Sequence, residues 1–318
     1  MGLYLVTGGA GFIGSSIARA LIARGDGVRV IDNLSTGTRE NLADIAARIE
    51  FLEGDIRDDK LLARATSGVE VVFHEAAIAS VPQSMAEPLE NHSVNATGTV
   101  RVLEAARHAG VRRVVYAASS AAYGDEPTLP KVETMAPAPI SPYGATKLAG
   151  EVAMQVYARA FGLETVCLRY FNVFGPRQDP KSEYAAVIPK FITSALAGKQ
   201  PRIFGDGKQS RDFCHIDNVV EANFAAAGAD AGRASGRVFN VGCGESIDLN
   251  RVVALIGDIL GQKLEAVHEP ERAGDIKHSW GDVGAARAAL GFRASVSFTE
   301  GLRRTIDWYR GRGTALPA

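Results

Sequence analysis

The sequence is poor in the features that mark several classes of protein. It has three cysteines in 318 residues, and Cys167, Cys214 and Cys243 lie far apart without forming a CxxC pair. Neither a disulfide framework nor a cysteine-based metal site is therefore predicted. Aromatic residues make up 7% of the chain, the formal net charge is -1, and no basic run stands out. Because nucleic-acid binding needs a basic surface, no nucleic-acid partner is expected.

Long hydrophobic runs are absent as well. Apolar stretches are interrupted by Arg, Asp or Gly well before the ~18 residues that a membrane span needs. The N-terminus enters a strand almost at once and has no basic region followed by a cleavage site. Hydrophobic residues nevertheless account for 46% of the chain, which is enough for a large core. A cytoplasmic protein of one sizeable domain or two coupled ones, without a membrane partner, is expected.

Short apolar runs alternate with helical stretches through the first half of the chain. The predicted strands are Leu3–Thr7, Val28–Asp32, Ile49–Glu53, Val69–His74, Arg113–Ala118 and Thr165–Arg169. The predicted helices are Phe12–Arg24, Arg39–Ala47, Asp58–Ala65, Ser93–His108 and Tyr143–Phe161. Continuous apolar strands that alternate with helices are typical of a parallel sheet covered on both faces. The expected fold class is α/β, with a Rossmann-like doubly wound parallel sheet.

The alternation breaks after Arg169. Residues 172–184 are rich in Gly, Pro and charge and are predicted to be irregular, whereas Asp217–Ala227 and Arg237–Val241 look like a helix and a strand that return to the sheet. The stretch from Gly242 to about Val296 resembles a smaller α/β region. We therefore expect a discontinuous second lobe. The predicted division is 1–171 plus about 213–241 for the Rossmann domain, about 172–212 and 242–297 for the smaller lobe, and 298–318 for a C-terminal helix and tail.

A glycine-rich turn follows the first strand in the segment Thr7-Gly8-Gly9-Ala10-Gly11-Phe12-Ile13-Gly14. Glycines at 8, 11 and 14 allow a tight turn, close approach of a pyrophosphate and packing of the next helix on the sheet. That helix directs its free N–H groups at the phosphates. Asp32 ends the second strand, 18 residues after Gly14. Its carboxylate accepts ribose hydroxyls and repels a 2′-phosphate, so NAD is favoured over NADP.

Tyr143 and Lys147 open the fifth predicted helix, and their spacing of four places both side chains on one face. A tyrosine with a pKa near ~10 must lose about three units, or roughly 4 kcal/mol, to act as a base at neutral pH. A lysine charge ~4 Å away at an effective dielectric of ~20 supplies about that much. The positive nicotinamide ring would add to it. We therefore predict a lowered pKa for Tyr143.

Two serines, Ser119 and Ser120, follow the strand that begins at Arg113. Ligands bind at the carboxyl ends of strands in such sheets. A serine hydroxyl there is able to bond the reacting oxygen and pass its proton toward Tyr143. Ser119 is the preferred candidate for this relay, with Ser120 as the alternative one residue later.

The motifs TGGAGFIG, DNLSTG, GDIRD, HEAA, ASSAAYG, YxxxK, RYFNVFGP, QSRDF and RAGD occur in this order along the chain. Together they resemble the extended short-chain dehydrogenase/reductase family and, within it, the UDP-hexose 4-epimerases. The resemblance implies Ser119, Tyr143 and Lys147 as catalytic residues and NAD as cofactor. It implies that the cofactor is lined by Gly8, Gly11, Phe12, Ile13, Asp32, Asn33, Ser35, Gly37, Asp55, Ile56, Ala76, Ala77, Tyr143 and Lys147. Asp55 and Ile56 match the pair that meets adenine. Asn95 matches a residue near the floor of the active site, although an asparagine on a plain helix surface is an alternative.

The resemblance also implies a nucleotide-sugar site. Arg211 and Arg272 match two arginines that clamp the diphosphate, which suits the planar paired donors of a guanidinium. The other implied contacts are Asn172 near the diphosphate, Ala186 and Val187 at the uracil, Asp275 at its ribose, and Ser119, Ser120 and Tyr143 at the sugar. Ser279 matches the residue beside the C2 substituent of the sugar. Since serine is small, we expect room for an N-acetyl group.

The implied reaction is 4-epimerisation of a UDP-hexose, UDP-Glc/UDP-Gal and UDP-GlcNAc/UDP-GalNAc, through a transient 4-keto sugar. A UDP-glucuronate 4-epimerase is an alternative, in which Arg177 would hold the sugar carboxylate. A nucleotide-sugar dehydratase or decarboxylase is disfavoured because Ala121 and Ala122 stand where dehydratases carry an acidic pair. A non-catalytic NAD-binding regulator is another alternative. The resemblance further implies a homodimer.

Overall fold

The protein is described from a computed structural model, which covers residues 2–180, 187–271 and 277–311. Ala186, Arg272 and Asp275, expected at the nucleotide-sugar site, lie outside these ranges. Within them, no helix combines the length and the apolar character needed to cross a membrane. The His, Cys, Asp and Glu side chains of the same ranges form no group of three or more suited to a metal ion.

Strands and helices alternate through the first 170 residues. Their bounds are β1 Leu3–Thr7, α1 Phe12–Ala23, β2 Gly27–Asp32, β3 Ile49–Glu53, α2 Asp59–Thr66, β4 Val71–His74, α3 Val81–Ala86, α4 Pro88–His92, α5 Gly98–His108, β5 Arg113–Ser119, α6 Pro142–Phe161 and β6 Glu164–Tyr170. A π-helical turn, Ser93–Thr97, joins α4 to α5. Each strand predicted here lies within two residues of an observed one.

The remaining elements are shorter and less regular. They are β7 Asn172–Phe174, α7 Val187–Leu196, β8 Arg202–Phe204, β9 Ser210–Arg211, β10 Phe213–His215, α8 Ile216–Gly228, α9 Ala231–Ala234, β11 Arg237–Val241, β12 Ile247–Asp248, α10 Leu249–Leu260, β13 Val267–Glu269, β14 His278–Ser279, α11 Gly284–Leu290 and α12 Phe298–Gly311.

Seven strands form one parallel sheet in the order β11-β6-β5-β4-β1-β2-β3. The chain runs outward from β1 to β3, returns to β4 beside β1, and then continues to the other edge. This reversal leaves a crevice at the carboxyl ends of β1 and β4, where ligands bind in doubly wound sheets. The predicted fold class is confirmed.

Neighbouring residues of one strand are buried on opposite faces of the sheet. Leu5 packs among residues of α2, α5 and α6, whereas the next residue, Val6, packs among residues of α1 and α8. Val114 and Val115 likewise pack on opposite faces of the sheet. Because side chains alternate along a strand, a sheet with helices on both faces needs apolar residues at consecutive positions. The continuous apolar runs of the sequence therefore specify this architecture.

A third apolar cluster lies outside the main sheet. Phe174 and Phe213 from β7 and β10 meet Phe191 of α7, Ile256 of α10 and Phe298 of α12 there. The C-terminal helix α12 buries one face in this cluster, including Leu302 and Ile306. The cluster supports the strands that carry Asn172 and Arg211.

Two sequence predictions of local structure were wrong. The helix predicted at Arg39–Ala47 is instead a pair of short 3₁₀ turns, Arg39–Leu42 and Ala46–Arg48. Side chains bond this segment to α1 and the glycine loop, since Asn41 Nδ2 donates to the Ala10 carbonyl at 2.9 Å. The segment 172–184 was predicted to be irregular, which is wrong for its first three residues, because β7 pairs in parallel with β10. Residues 175–180 form no helix or strand, as predicted, and 181–184 lie outside the described ranges.

Candidate active site

The glycine loop between β1 and α1 has the backbone geometry that its sequence predicts. Gly8 adopts a positive φ of 66°, and a Cβ there would lie 2.7 Å from the backbone of Ala76. A Cβ on Gly14 would lie 2.3 Å from the Gly8 carbonyl oxygen. Gly11 precedes α1 and provides no side-chain cap, so the first N–H groups of the helix are left for a ligand. The loop fits a dinucleotide pyrophosphate.

A cavity of about 650 Å³ opens above this loop at the carboxyl edge of the sheet. Thirteen of the fourteen residues expected around the cofactor line it: Gly8, Gly11, Phe12, Ile13, Asp32, Asn33, Ser35, Asp55, Ile56, Ala76, Ala77, Tyr143 and Lys147. Gly37 is the exception, because it packs against the Ala10 backbone, where a Cβ would lie 2.7 Å from the carbonyl carbon. Gly37 therefore supports the glycine loop by packing against it and does not line the cavity.

Asp32 lies at the end of β2 and is 8% exposed. Its carboxylate accepts hydrogen bonds from the backbone N–H groups of Ala10, at 2.9 Å, and Leu34, at 2.8 Å. Burial raises the pKa of Asp32, and these two bonds lower it. A carboxylate accepts about four hydrogen bonds, so acceptor sites are left for ribose hydroxyls.

The far end of the cavity is framed by Asn33 and Asp55. Asn33 Nδ2 donates to Asp55 Oδ2 at 3.0 Å, and Arg57 pairs with the same carboxylate at 2.8 Å. The Arg57 guanidinium holds the pKa of Asp55 below its ordinary value. Asp55 therefore stays ionised and keeps the turn after β3 in place beside Ile56.

The three proposed catalytic residues lie at the opposite end of the first cavity, which we call its catalytic end. They are Tyr143, Lys147 and Ser119. The helix α6 begins at Pro142, and the Ser141 hydroxyl caps it by accepting from the Gly144 N–H. The buried Ser84 accepts from the Tyr143 N–H at 3.1 Å, which fixes the first turn. Ser119 ends β5, and its side chain is hydrogen-bonded with that of Tyr143. Ser120 begins the following 3₁₀ turn.

The pKa of Tyr143 is raised by the protein, whereas the spacing with Lys147 predicted a lowered pKa. Burial of the phenol is the main cause, and the hydrogen bond with Ser119 lowers the pKa by less. Lys147 donates from Nζ to the Ala117 carbonyl at 2.7 Å. The spacing of four correctly placed both residues on the cavity wall but did not reveal this partner or the degree of burial.

Lys147 itself is 3% exposed. Burial lowers the pKa of its ammonium group to about 8, and two carboxylates, Glu75 and Glu151, raise it. Its Nζ also lies 5.0 Å from the centre of the Tyr116 ring, which favours the charged form.

Sequence reasoning missed several residues that line this cavity. Tyr170 and Val173 come from the RYFNVFGP segment, where only Asn172 was singled out, and Gln178 lies two residues beyond it. Glu75 was missed although it is a carboxylate directly after a buried strand. That position was a usable signal, because residues after parallel strands face the ligand crevice.

A second cavity, of about 860 Å³, lies beside the first. The strand β7 separates them, since Val173 lines the first and Asn172 the second. Val187 and Arg211 also line the second cavity, as expected. Sequence reasoning missed three further cations on its wall: Lys190, Lys199 and Arg202. Such an arrangement suits an anionic ligand.

The Arg211 side chain is held by hydrogen bonds to two backbone carbonyl groups. Its Nη1 donates to the carbonyl oxygens of Ser210, at 2.9 Å, and Lys277, at 3.2 Å. The next residue, Asp212, is fully buried and accepts from the N–H groups of Cys243 and Gly244. Asp212 thus ties the loop after β11 to the strand that carries the arginine.

Ser279 lies on β14, in parallel register with Arg211 on β9. It is half-buried and is not one of the residues that line the second cavity. Its backbone lies next to that of Arg211, and its role at the sugar stays a prediction. Asn95 is buried, accepting from the Ile78 N–H at 2.8 Å, so the helix-surface alternative was wrong.

Arg177 was the candidate cation for a uronate carboxyl. The pKa of Asp44 is lowered chiefly by its hydrogen bond with Arg19 of α1, and the charge of Arg177 adds a smaller effect. Neither Arg177 nor Asp44 is among the residues that line the two cavities.

Comparisons with known proteins agree with this geometry. The model of the NAD dependent epimerase/dehydratase family matches residues 4–242. The chain is 42% identical to a UDP-glucose 4-epimerase of Mycolicibacterium smegmatis, over 97% of this chain and 98% of that protein. It is similar to the structure of a UDP-N-acetylglucosamine 4-epimerase from Methanobrevibacter ruminantium in complex with UDP-N-acetylmuramic acid, with a TM-score of 0.93, 40% identity and coverage of 98% and 99%. A UDP-glucose 4-epimerase of Thermus thermophilus in complex with NAD gives a TM-score of 0.87, 38% identity and coverage of 97% and 99%.

Proposed function

The chain belongs to the NAD dependent epimerase/dehydratase family, and from this premise we propose that it interconverts the C4 epimers of a UDP-hexose. The observation that carries the proposal is the junction of the two cavities at β7. The Tyr143 and Lys147 pair lines the first cavity, and the cation-lined cavity that suits a nucleotide diphosphate begins on the other side of the same strand. A sugar attached to that diphosphate would reach Tyr143.

The cofactor is NAD. The glycine loop, the uncapped start of α1 and the carboxylate of Asp32 fit its pyrophosphate and adenosine ribose. When bound, NAD supplies a hydride acceptor for carbon 4 of the sugar and later returns that hydride. The remaining chemistry is binding and proton transfer, which we assign to side chains of this chain.

Proton transfer at the 4-hydroxyl falls to Tyr143. Its phenol takes the proton as the hydroxyl becomes a ketone and gives it back after the sugar has turned over. Ser119, hydrogen-bonded with Tyr143, provides a second hydroxyl at the reacting oxygen. The positive charge of Lys147 stabilises the phenolate that this exchange requires.

Both faces of the transient 4-keto sugar must be presented in turn. We propose that Arg211, Arg272 and Asn172 hold the diphosphate while the hexose rotates. Asp275 with Ala186 and Val187 would hold the uridine. This lobe, residues about 172–212 and 242–297, is the proposed nucleotide-sugar lobe. Binding far from the reacting carbon keeps the intermediate from escaping without restraining the sugar.

We propose that the acetylated pair, UDP-GlcNAc and UDP-GalNAc, is accepted alongside UDP-Glc and UDP-Gal. Ser279 is in register with Arg211, which supports a position near the sugar end of the diphosphate. Its small side chain leaves room for an N-acetyl group.

Product analysis tests the proposed function. The protein would be incubated separately with UDP-Gal, UDP-GalNAc and UDP-galacturonate, and the products separated by chromatography. We expect the 4-epimers of the first two. Turnover of the uronate alone would establish the UDP-glucuronate epimerase alternative. Loss of water from a substrate would establish a dehydratase, and loss of carbon dioxide would establish a decarboxylase. No change in any of the three, with NAD bound, would establish a non-catalytic regulator.

We also propose that the chain forms a homodimer through α5 and α6. Val152 and Val156 are 52% and 48% exposed on α6, and Val100 on the adjacent α5 is 39% exposed. Two neighbouring helices with exposed apolar residues fit a second copy of the same surface. Sedimentation of Val152→Glu should show a monomer where the unsubstituted protein sediments as a dimer, and unchanged sedimentation would contradict this interface.

A further inference from the structure

Glu75 is a carboxylate at the catalytic end of the first cavity for which the proposed proton transfer has no use. It directly follows β4, at the carboxyl edge of the sheet, and its N–H donates to the Thr7 carbonyl at 3.2 Å. It lines the cavity together with Lys147 and Tyr170. Glu75 is half-buried, and a carboxylate withdrawn from water without a counter-charge is costly, so its partners explain its presence.

The first partner of Glu75 is the phenol hydroxyl of Tyr170. Tyr170 donates to Glu75 Oε1 at 3.0 Å. The Tyr170 oxygen itself accepts from Asn223 Nδ2 of α8 at 2.8 Å. Since a phenol has one proton and Asn223 occupies its acceptor side, the hydroxyl is oriented toward the carboxylate. The three residues therefore form a directed chain that favours an ionised Glu75.

The second partner is the ammonium group of Lys147. Two carboxylates, Glu75 and Glu151, act on this charge. Glu151 is already paired with Arg169, which donates to both of its oxygens at 2.8 and 2.7 Å, and both residues are buried. This pair is neutral as a unit. Glu75 is therefore left as the counter-charge of Lys147.

In the described part of the chain, the other titratable groups near Glu75 and Lys147 carry no charge at neutral pH. His74, the neighbour of Glu75 on β4, is uncharged at neutral pH, because burial lowers its pKa to about 3. Tyr116 and Tyr170 stay protonated, because burial raises their pKa values. The thiol of Cys214, near Tyr170, is likewise kept neutral by a raised pKa. With Glu75 ionised, the catalytic end of the cavity is close to neutral, and without that charge it is more positive, by the fraction of Lys147 that stays protonated.

We propose that Glu75 is the half-buried counter-ion of Lys147 and that its carboxylate makes the cavity favour the oxidised, positively charged dinucleotide over the neutral reduced one. The reason is Coulombic, because an uncompensated lysine repels a positive nicotinamide ring and leaves a neutral ring unaffected. The inference rests on the proposed function only in taking NAD as cofactor. Glu75 acts through charge and is a positioning residue.

The preference depends on pH in a defined direction. Burial raises the pKa of Glu75 to about 7, while Tyr170 and Lys147 lower it. The carboxylate is present above that pH and is lost as the pH falls below it. Replacing Glu75 by Gln removes the charge at every pH and keeps the shape of the side chain.

The test is the midpoint potential of the protein-bound dinucleotide, followed by the near-ultraviolet absorbance of reduced nicotinamide. No sugar is present, and a chemical reductant supplies the two electrons and one proton that reduction consumes. At pH 7.5 we expect E75Q to favour the reduced form about tenfold more than the unsubstituted protein, a shift of about +30 mV for a two-electron couple. The difference should disappear at pH 5.5, where Glu75 is protonated. Equal potentials at pH 7.5, or a difference that persists at pH 5.5, would overturn the proposal.

Two further variants separate charge from folding. Glu87→Gln removes an exposed carboxylate from the rim of the same cavity and should leave the potential unchanged. Tyr170→Phe keeps the Glu75 carboxylate but removes its proton donor, so the pKa of Glu75 rises. At pH 7 its potential should move toward that of E75Q, and an unchanged value would contradict the proposal even if E75Q does not fold. A protein that shows these shifts but makes no 4-epimer would refute the proposed function alone.

Discussion

The ammonium group of Lys147 donates a 2.7 Å hydrogen bond to the carbonyl oxygen of Ala117. This bond joins the second turn of α6 to the carboxyl end of β5. Ser119 lies two residues beyond Ala117 and is hydrogen-bonded with Tyr143, which lies one helical turn before Lys147. One contact between helix and strand therefore holds all three proposed catalytic residues in position before any ligand arrives.

Tyr143→Phe should abolish turnover while leaving NAD binding nearly intact. The substitution removes the phenol oxygen that we propose accepts the proton of the 4-hydroxyl, and it preserves the ring that lines the cavity. We expect kcat to fall by about 10³, within the usual contribution of a general base. Steady-state kinetics and an NAD titration measure the two effects. Tyr157→Phe is the matched control, because its hydroxyl donates to Glu104 farther along α6 and should not affect kcat. Retained turnover in Tyr143→Phe would rule out this assignment.

The two serines at the end of β5 should differ in importance. Ser119→Ala removes the hydroxyl bonded with Tyr143, so we expect kcat to fall by about 10² with little change in NAD binding. Ser120→Ala is the comparison, since Ser120 begins the 3₁₀ turn after the strand, and a smaller loss is expected. Parallel kinetic measurement of both variants decides the matter. A larger loss of kcat in Ser120→Ala than in Ser119→Ala would assign the proton relay to Ser120.

Ser279→Tyr should narrow the substrate range. A tyrosine ring in register with Arg211 would occupy the space that an N-acetyl group needs. We expect kcat/KM for UDP-GalNAc to fall by about 10 to 10², because overpacking costs roughly 1–3 kcal/mol. The value for UDP-Gal should change little and serves as the internal control. Unchanged turnover of the acetylated pair would show that the steric idea is wrong.

His74 should contribute to the pH dependence of stability. It is buried between the hydroxyls of Thr7 and Thr99, at 2.7 and 3.0 Å, and its pKa is lowered to about 3 by burial. A lowered folded-state pKa means that the stability contribution is complete above the unfolded value of about 6.5 and is lost as the pH falls toward 3. Between pH 7.5 and pH 5 the contribution amounts to about 2 kcal/mol.

Urea unfolding at those two pH values measures this effect. His74→Gln keeps a polar side chain but no longer titrates, so the fall in the free energy of unfolding between pH 7.5 and pH 5 should be about 2 kcal/mol smaller than in the unsubstituted protein. An equal fall in His74→Gln would mean that His74 is not the titrating group.

The parts of the site that depend on local spacing could be predicted. Gly8, Gly11 and Gly14 act within one strand–turn–helix unit, and Tyr143 and Lys147 face one way because they are one helical turn apart. The helix predicted at Arg39–Ala47 was wrong because bonds from Asn41 and Arg19 to other segments outweigh its local pattern.

The amino-acid order by itself determined the alternation of strands and helices, the loop for the dinucleotide and the residue types at the reacting oxygen. Only the tertiary structure decided which charges meet. Glu75 directly follows β4, Tyr170 lies on β6 and Asn223 on α8, and nothing in their spacing along the chain indicates that they touch. The physical reason is that backbone periodicity sets direction within one element, whereas burial and sheet order set both the neighbours of a charge and its pKa.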